Sequence, residues 1–225
     1  MLISVVIPAY NEEGSILACL QSVYRQSRAP DEVIVVDNNS TDNTVRLVRE
    51  NFPRVKIVFE KKQGIASARD AGFRVACGDI IARTDADSLA THHWLLAIEA
   101  FFTTNTVVVA SSGPIYFREF PWSIIGFPCS AFFIFMCRLL YKKQVLLGPN
   151  MAVLKSAWRK ISPCASNDFH EDIDLSIHLS SVGVVGFSWS INTISSARRI
   201  FKTPYQFFVK YPQILLHTFG SHKET

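Results

Sequence analysis

The first 112 residues alternate between short, unbroken apolar runs and segments whose apolar residues recur every three to four positions. Runs at 3–8, 32–36, 55–59, 80–84 and 107–110 are short and rich in Val and Ile. They predict strands buried on both faces. Helices are predicted between them. One spans 15–26, with Ile16, Leu17, Leu20 and Val23 on one face. A second contains Val45, Leu47 and Val48 behind the capping run Ser40-Thr41-Asp42, and two more cover 65–76 and 92–103. Strands joined by crossover helices give an α/β fold, a mainly parallel sheet flanked by helices. Ligands of such sheets bind beyond the carboxyl ends of the strands. That rule singles out residues 8–12, 37–42 and 85–87.

From Gly113 the pattern changes. Residues 120–137 carry no charge and are interrupted by Gly126 and Pro128, where a helix is expected to break. A strand at 147–154, helices at 155–161 and 173–181, and strands at 184–188 and 191–194 are predicted next. The tail, 204–217, is apolar and aromatic with one interior charge, Lys210. With no repeat and no low-complexity linker, the 225 residues read as one domain made of two halves, 1–112 and 113–225.

A hydrophobic content of 48% argues against disorder. The five cysteines form no Cys-x-x-Cys pair, which argues against a disulfide scaffold or zinc cluster and fits a reducing compartment. The apolar opening lacks a basic flank and is cut short by Pro8, so it reads as a strand and not a secretory signal. A cytoplasmic protein is expected. Residues 1–119 hold 12 Lys/Arg against 14 Asp/Glu, whereas 120–223 hold 11 Lys/Arg against four acids, all within 168–174. A basic half of this kind is a solvated surface, a contact for a phosphate-bearing ligand, or a contact for an anionic membrane face. Nucleic acid is not expected, because the basic residues are dispersed in apolar sequence.

No phosphate loop and no Gly-x-Gly-x-x-Gly follows the first strand. A bound nucleotide would therefore need a metal ion and side-chain cations. Asp85-Ala86-Asp87 offers hard oxygen ligands suited to Mg²⁺ or Mn²⁺, or else merely opens the next helix. Asp37 either accepts a hydrogen bond from a base or forms a turn with its polar neighbours. Asp168 and Glu171 have the spacing of a capping box, which leaves Asp172 as an ionised first-turn carboxylate able to act as a general base. His170 and His178 are simpler to read as hydrogen-bonded or exposed histidines than as ligands.

Five segments in order resemble the family 2 glycosyltransferases, which have the GT-A fold. They are Ser4-Val5-Val6-Ile7-Pro8-Ala9-Tyr10-Asn11-Glu12-Glu13, Asp37 through Thr44, Gly64 through Gly72, Asp85-Ala86-Asp87, and Gly148-Pro149-Asn150-Met151-Ala152 followed by Glu171-Asp172. The resemblance covers about residues 3–199 and implies a nucleoside-diphosphate-sugar donor, UDP-sugar favoured and GDP-sugar second. It also implies a Mn²⁺ or Mg²⁺ cofactor, an inverting reaction and an acceptor-side C-terminal subdomain. Pro8, Tyr10 and Glu12 would hold base and ribose, with Asp37 on the base. Arg69 would approach the diphosphate, Asp85 would help hold the nucleotide, and Asp87 would ligate the metal. Asp172 would deprotonate the acceptor, and Arg198 and Arg199 would add to a cationic wall or form a solvated basic pair.

Asp70 departs from the family's usual Asn, and the Gln-x-x-Arg-Trp motif of processive synthases is missing, which favours addition of a single sugar. The alternatives are a sugar-phosphate nucleotidyltransferase and an inactive nucleotide-binding module. The acceptor is expected to be a glycan or lipid-linked. Residues 120–137 with Arg138, Lys142 and Lys143, and the tail with Lys202 and Lys210, suggest docking on an anionic membrane surface without crossing it.

Overall fold

Seventeen elements follow one another along the computed structural model, which describes residues 1–141, 144–162 and 170–198 together with Tyr205, Gln213, His217 and Thr218. In order they are β1 (Ile3–Ala9), α1 (Ile16–Tyr24), β2 (Glu32–Asp37), α2 (Thr44–Asn51), β3 (Lys56–Phe59), α3 (Ile65–Val75), β4 (Ile80–Arg83), β5 (Leu89–Ala90) and α4 (Trp94–Thr104). Then come β6 (Val108–Ser112), β7 (Ile115–Phe117), α5 (Trp122–Tyr141), β8 (Met151–Leu154), α6 (Lys155–Trp158), α7 (Glu171–Ser180), β9 (Val184–Phe187) and β10 (Thr193–Ser195). Among the described residues, seven strands form the main sheet in the order β3-β2-β1-β4-β8-β6-β9. Only β8 runs against its neighbours. A second sheet, β5-β10-β7, caps one end.

β1 shows why the sheet is covered on both faces. Ile3, Val5 and Ile7 pack with Leu20 and Val23 of α1 and Trp94 and Ile98 of α4. Val6 points the other way, joining Ala68 and Phe73 of α3 and Leu175 and Leu179 of α7. This is the two-residue alternation of a strand. Each fully buried Val, Leu or Ile contributes roughly 1.5–3 kcal/mol. Helix α3 lies directly on the sheet: a Cβ on Gly72 would come within 2.4 Å of Val6 and 2.9 Å of Val36. That close seating holds Arg69, three residues earlier on α3, beneath the start of α7.

The chain winds from β1 outward to β3 and then crosses back to β4 on the other side of β1. The crevice between the ends of β1 and β4 is thus the topological switch point. Residues 10–12 and 85–87 flank it.

Two expectations need correction. Gly126 and Pro128 do not break the apolar stretch, since α5 is a single helix with Pro128 inside it. Gly126 faces the Phe117 ring so closely that a Cβ would lie 2.3 Å from it, and this seats the helix on β7. The strand foreseen at 147–154 begins only at Met151, because residues 147–150 form a bridged turn. Of the small sheet, the strand foreseen at 191–194 is β10, shifted to Thr193–Ser195, while β5 and β7 went unforeseen because strands of two or three residues show no periodicity. Asp168, Lys142, Lys143, Arg199, Lys202, Lys210 and most of the apolar tail lie outside the described residues. Among the described residues no helix is long and apolar enough to cross a membrane.

Candidate active site

Two loops at the strand ends are stitched together by their own polar side chains. Asn11 adopts a left-handed backbone, φ 53°, that Asn tolerates. Its Oδ1 accepts the Thr41 N–H at 2.8 Å, and the Glu12 N–H donates to Thr44 Oγ1 at 2.8 Å. Asn38 ties this loop to the next, donating to the carbonyls of Glu60 and Lys62 and accepting the Gly64 N–H. Buried Asp37 accepts the Ser40 N–H at 3.3 Å, as a turn-forming aspartate does. Pro8 is buried within β1, and Tyr10 stands beyond it, 49% exposed.

The second group is centred on Arg83, the last residue of β4. Its guanidinium is fully buried and donates from Nη1 to Glu171 Oε1 at 2.6 Å and Asp172 Oδ1 at 3.2 Å, and from Nη2 to Asp85 Oδ1 at 3.2 Å. Arg69, equally buried, donates to Glu171 Oε2 at 2.5 Å, to the Glu171 carbonyl at 3.0 Å and to Asp70 Oδ1 at 2.9 Å. Asp172 Oδ2 accepts the Gly148 N–H at 2.7 Å. The turn presenting that amide is pinned. Thr84 Oγ1 bonds the Pro149 carbonyl, and the Asn150 side chain bonds Trp94 and the carbonyls of Pro114 and Ile191.

Burial pushes the Glu171 carboxyl up, but the Arg83 and Arg69 charges outweigh it and hold its pKa well below the usual value. Asp172 moves the opposite way, raised well above an ordinary aspartate by burial first and by the charge of Glu171 second. This corrects the expectation that a first-turn position keeps Asp172 readily ionised, since desolvation and a like charge override the helix dipole. The capping reading of Glu171 also gives way, because its carboxylate bridges two guanidiniums. Arg69 is buried, with Nε committed to Asp70 and Nη1 to Glu171, while its Nη2 makes no hydrogen bond among the described residues. Asp70 therefore has a polar role in place of the expected Asn.

Asp87 and Glu12 make a third group with Arg198. Arg198 Nε lies 3.3 Å from Asp87 Oδ2, and its Nη2 is bonded to Glu12 Oε2. Ser15 Oγ donates to the same Glu12 oxygen at 2.5 Å. The His170 backbone N–H donates to Thr218 Oγ1 while its buried ring lies in the field of the adjacent Glu171, and His178 Nδ1 pairs with the Asp174 carbonyl.

Among the described residues the guanidiniums of Arg69, Arg83 and Arg198 face six carboxylates, of Glu12, Asp70, Asp85, Asp87, Glu171 and Asp172, and Arg118 Nη2 donates to the Asp87 carbonyl at 3.2 Å. An all-oxygen donor set with a shortage of positive charge fits Mg²⁺ or Mn²⁺. Among the described residues no three His, Cys, Asp or Glu side chains form a ready cage, so an ion at Asp87 would complete its shell with phosphate or water oxygens. Arg83 and Gly148 were not assigned roles from sequence. The legible signal for Arg83 was an arginine ending an otherwise apolar, buried strand, a charge that must be paired there.

Residues 4–161 match the profile of Glycosyl transferase family 2. The chain belongs to that family and is a glycosyltransferase by class, as the motifs implied; the nucleotidyltransferase alternative falls. It is 32% identical to a chondroitin synthase of Escherichia coli over 139 residues, 52% of this chain and 20% of that protein. The curated relatives it matches are longer proteins, of which the match spans 35% or less. In fold it is similar to glucosyl-3-phosphoglycerate synthase from Mycobacterium tuberculosis, crystallised with Mn²⁺, UDP and glucosyl-3-phosphoglycerate (TM-score 0.67, 19% identity, covering 90% of this chain and 75% of that one). It is also similar to a mannosyltransferase from Pyrobaculum calidifontis in complex with GDP-Man and Mn²⁺ (TM-score 0.64, 22% identity, 94% and 64%). These likenesses establish the GT-A α/β fold.

Proposed function

We propose that this chain transfers a single sugar, with inversion, from a nucleoside diphosphate sugar to an acceptor hydroxyl. The observation that carries the reading is the setting of Asp172. Its carboxylate is oriented by the Gly148 amide and Arg83, and its proton affinity is raised toward the range a general base needs. Asp172 takes the acceptor proton as the hydroxyl oxygen attacks the anomeric carbon and the bond to the diphosphate oxygen breaks on the opposite face. Glu171, fixed as an anion by Arg69 and Arg83, keeps Asp172 the more basic of the two.

Residues 1–112 form the donor half. The crevice between β1 and β4 receives the nucleotide, with Tyr10 and Pro8 against base and ribose, Asp37 on the base edge, and Asp85 toward the diphosphate. Asp87 would hold a Mn²⁺ or Mg²⁺ ion, and Arg199 is proposed to contact the donor. Such an ion neutralises charge on the departing diphosphate. UDP-sugars are the favoured donors and GDP-sugars the second choice, in keeping with the UDP and GDP-Man complexes of the two fold relatives.

Residues 113–225 form the acceptor half, and the acceptor is a glycan or lipid-linked sugar met at the cytoplasmic face of a membrane. Supporting this is the exposure of Ile124, Phe135 and Leu139 along α5. The test is a panel of UDP- and GDP-sugars with the purified chain and Mn²⁺, first for thermal stabilisation and then for transfer. A donor at 100 times its Kd adds about 2.7 kcal/mol. Product anomeric configuration by NMR should be opposite to the donor's. Retention, or no donor turnover with any acceptor, overturns the reading.

A further inference from the structure

Glu12 and Asp87 follow different strands, β1 and β4, yet both end on one guanidinium. The two residues are 4% and 6% exposed, whereas the Arg198 side chain that joins them is 32% exposed. Buried carboxylates brought to a common point are costly unless a cation lies between them. Arg198 is that cation, using Nε toward Asp87 and Nη2 toward Glu12.

The segment that delivers it is tethered separately. Beyond β10, Glu119 accepts the Ser196 hydroxyl at 2.8 Å and the Ala197 N–H at 2.7 Å, and Ser195 shares a 2.6 Å hydrogen bond with Ser88. Arg198 is therefore the tip of a fixed arm. Its guanidinium reaches in from the solvent side, and its backbone is held by groups that do not belong to the carboxylate pair.

We propose that Arg198 is the resident counter-cation of the Glu12–Asp87 pair, and that a divalent ion binds at Asp87 by exchanging with it. The inference rests on the reading of Asp87 as the metal ligand. A divalent ion seated on Asp87 would stand within a few ångströms of the guanidinium held on Oδ2, and the repulsion between the two cations favours release of one as the other binds. The exchange keeps the buried carboxylates neutralised throughout. It leaves the released guanidinium beside the crevice, because Glu119 still holds Ser196 and Ala197, and Ser196 Oγ accepts the Arg198 N–H. The consequence is that the site binds free metal more weakly than its donors alone would allow.

The experiment titrates Mn²⁺ alone into the purified chain, following free Mn²⁺ by electron paramagnetic resonance and heat by calorimetry, with no sugar nucleotide present. Arg198→Gln should bind Mn²⁺ about tenfold or more tightly, the worth of one charge-assisted hydrogen bond removed from the competition. Asp87→Asn should lose the binding. If Asp87→Asn loses it while Arg198→Gln is unchanged or weaker, Arg198 does not compete and the proposal fails with the metal site intact. If Asp87→Asn binds Mn²⁺ as the parent does, the metal reading itself fails. Should Arg198→Gln not fold by circular dichroism, Ser196→Ala removes the hydroxyl that links Glu119 to the Arg198 N–H and touches neither carboxylate. It should tighten Mn²⁺ binding by a smaller factor, and an unchanged value there overturns the exchange.

Discussion

The backbone N–H of Gly148 donates to Asp172 Oδ2 at 2.7 Å, and a Cβ built on Gly148 would stand 2.8 Å from that oxygen and 2.9 Å from its twin. The same Cβ would lie 3.1 Å from Arg83 Nη2. Only a residue without a side chain lets this amide reach the carboxylate. Gly148→Ala should therefore displace Asp172 while leaving the crevice between β1 and β4 alone. A misplacement near 1 Å costs on the order of 10²-fold in rate. The expected result is a fall in kcat of that size with UDP affinity unchanged, read from steady-state kinetics beside a UDP titration.

Asp172→Asn and Glu171→Gln should separate the two neighbouring acids. Asn is nearly isosteric with Asp but takes no proton, so turnover should fall by roughly 10²–10⁴ with donor binding spared. Glu171→Gln removes the anion shared by two fully buried guanidiniums, and breaking such a pair costs about 3–5 kcal/mol. Loss of a helix cap would cost only about 1 kcal/mol. Urea unfolding of the two variants distinguishes these cases, and a Glu171→Gln cost near the lower figure would return that residue to a capping role.

The same pair dictates opposite responses to pH. Asp172 holds its proton more tightly folded than unfolded, so its contribution is greatest below the unfolded pKa, near 3.9, and is lost as pH rises toward the raised folded value. Glu171, with its folded pKa depressed, contributes stability above the unfolded value, near 4.3, that is lost as pH falls through the folded one. Relative to Asp172→Asn, the parent chain should thus lose stability as pH climbs through the Asp172 window. Catalysis should show the complementary trend, with kcat falling on the acid side as Asp172 becomes protonated. Thermal melts and kcat measured across pH 4–9 check both signs, and parallel melting curves for parent and variant would contradict the assignment.

Much of the fold was legible because the sheet's strands are continuous Val/Ile runs whose ends carry the polar motifs. The windows for β1, β2, β4 and α3 fall within a residue or two of the observed bounds. What the sequence hid was pairing over long separations. Arg83 and Glu171 are 88 residues apart, and Arg198 and Glu12 are 186 apart. No local pattern announces that a strand-terminal arginine and a helix N-terminus will share one buried network. The fate of Asp172 was misread for the same reason: its protonation depends on burial and on its neighbours, and a one-dimensional spacing rule sees only the helix end. Gly126 and Pro128 misled in a simpler way, because the breaker rule ignores a helix seated on Phe117.

The last prediction concerns the outer face of α5. Ile124, Phe135 and Leu139 are 67%, 60% and 61% exposed. At about 100° per residue they fall within a narrow stripe of the helix. Arg138, also exposed, sits beside them. If this stripe rests in the boundary of an anionic leaflet, burying two such side chains contributes roughly 1.5–3 kcal/mol each, and each nearby cation roughly 1 kcal/mol more. Phe135→Ser combined with Leu139→Ser should then weaken vesicle binding by well over tenfold. Folding stability should stay nearly unchanged, because the parent leaves both side chains mostly in solvent. Flotation with phosphatidylserine vesicles should show parent binding that needs the anionic lipid and weakens as salt rises, since charges near a surface are screened within about 10 Å at 0.1 M. The double variant should stay in the soluble fraction under all conditions. Parent binding indifferent to lipid charge and salt, or a variant that floats as well as the parent, would remove the membrane from this face. A change in oligomeric state of the variant, without any change in flotation, would point to a second copy of the chain as what covers the stripe.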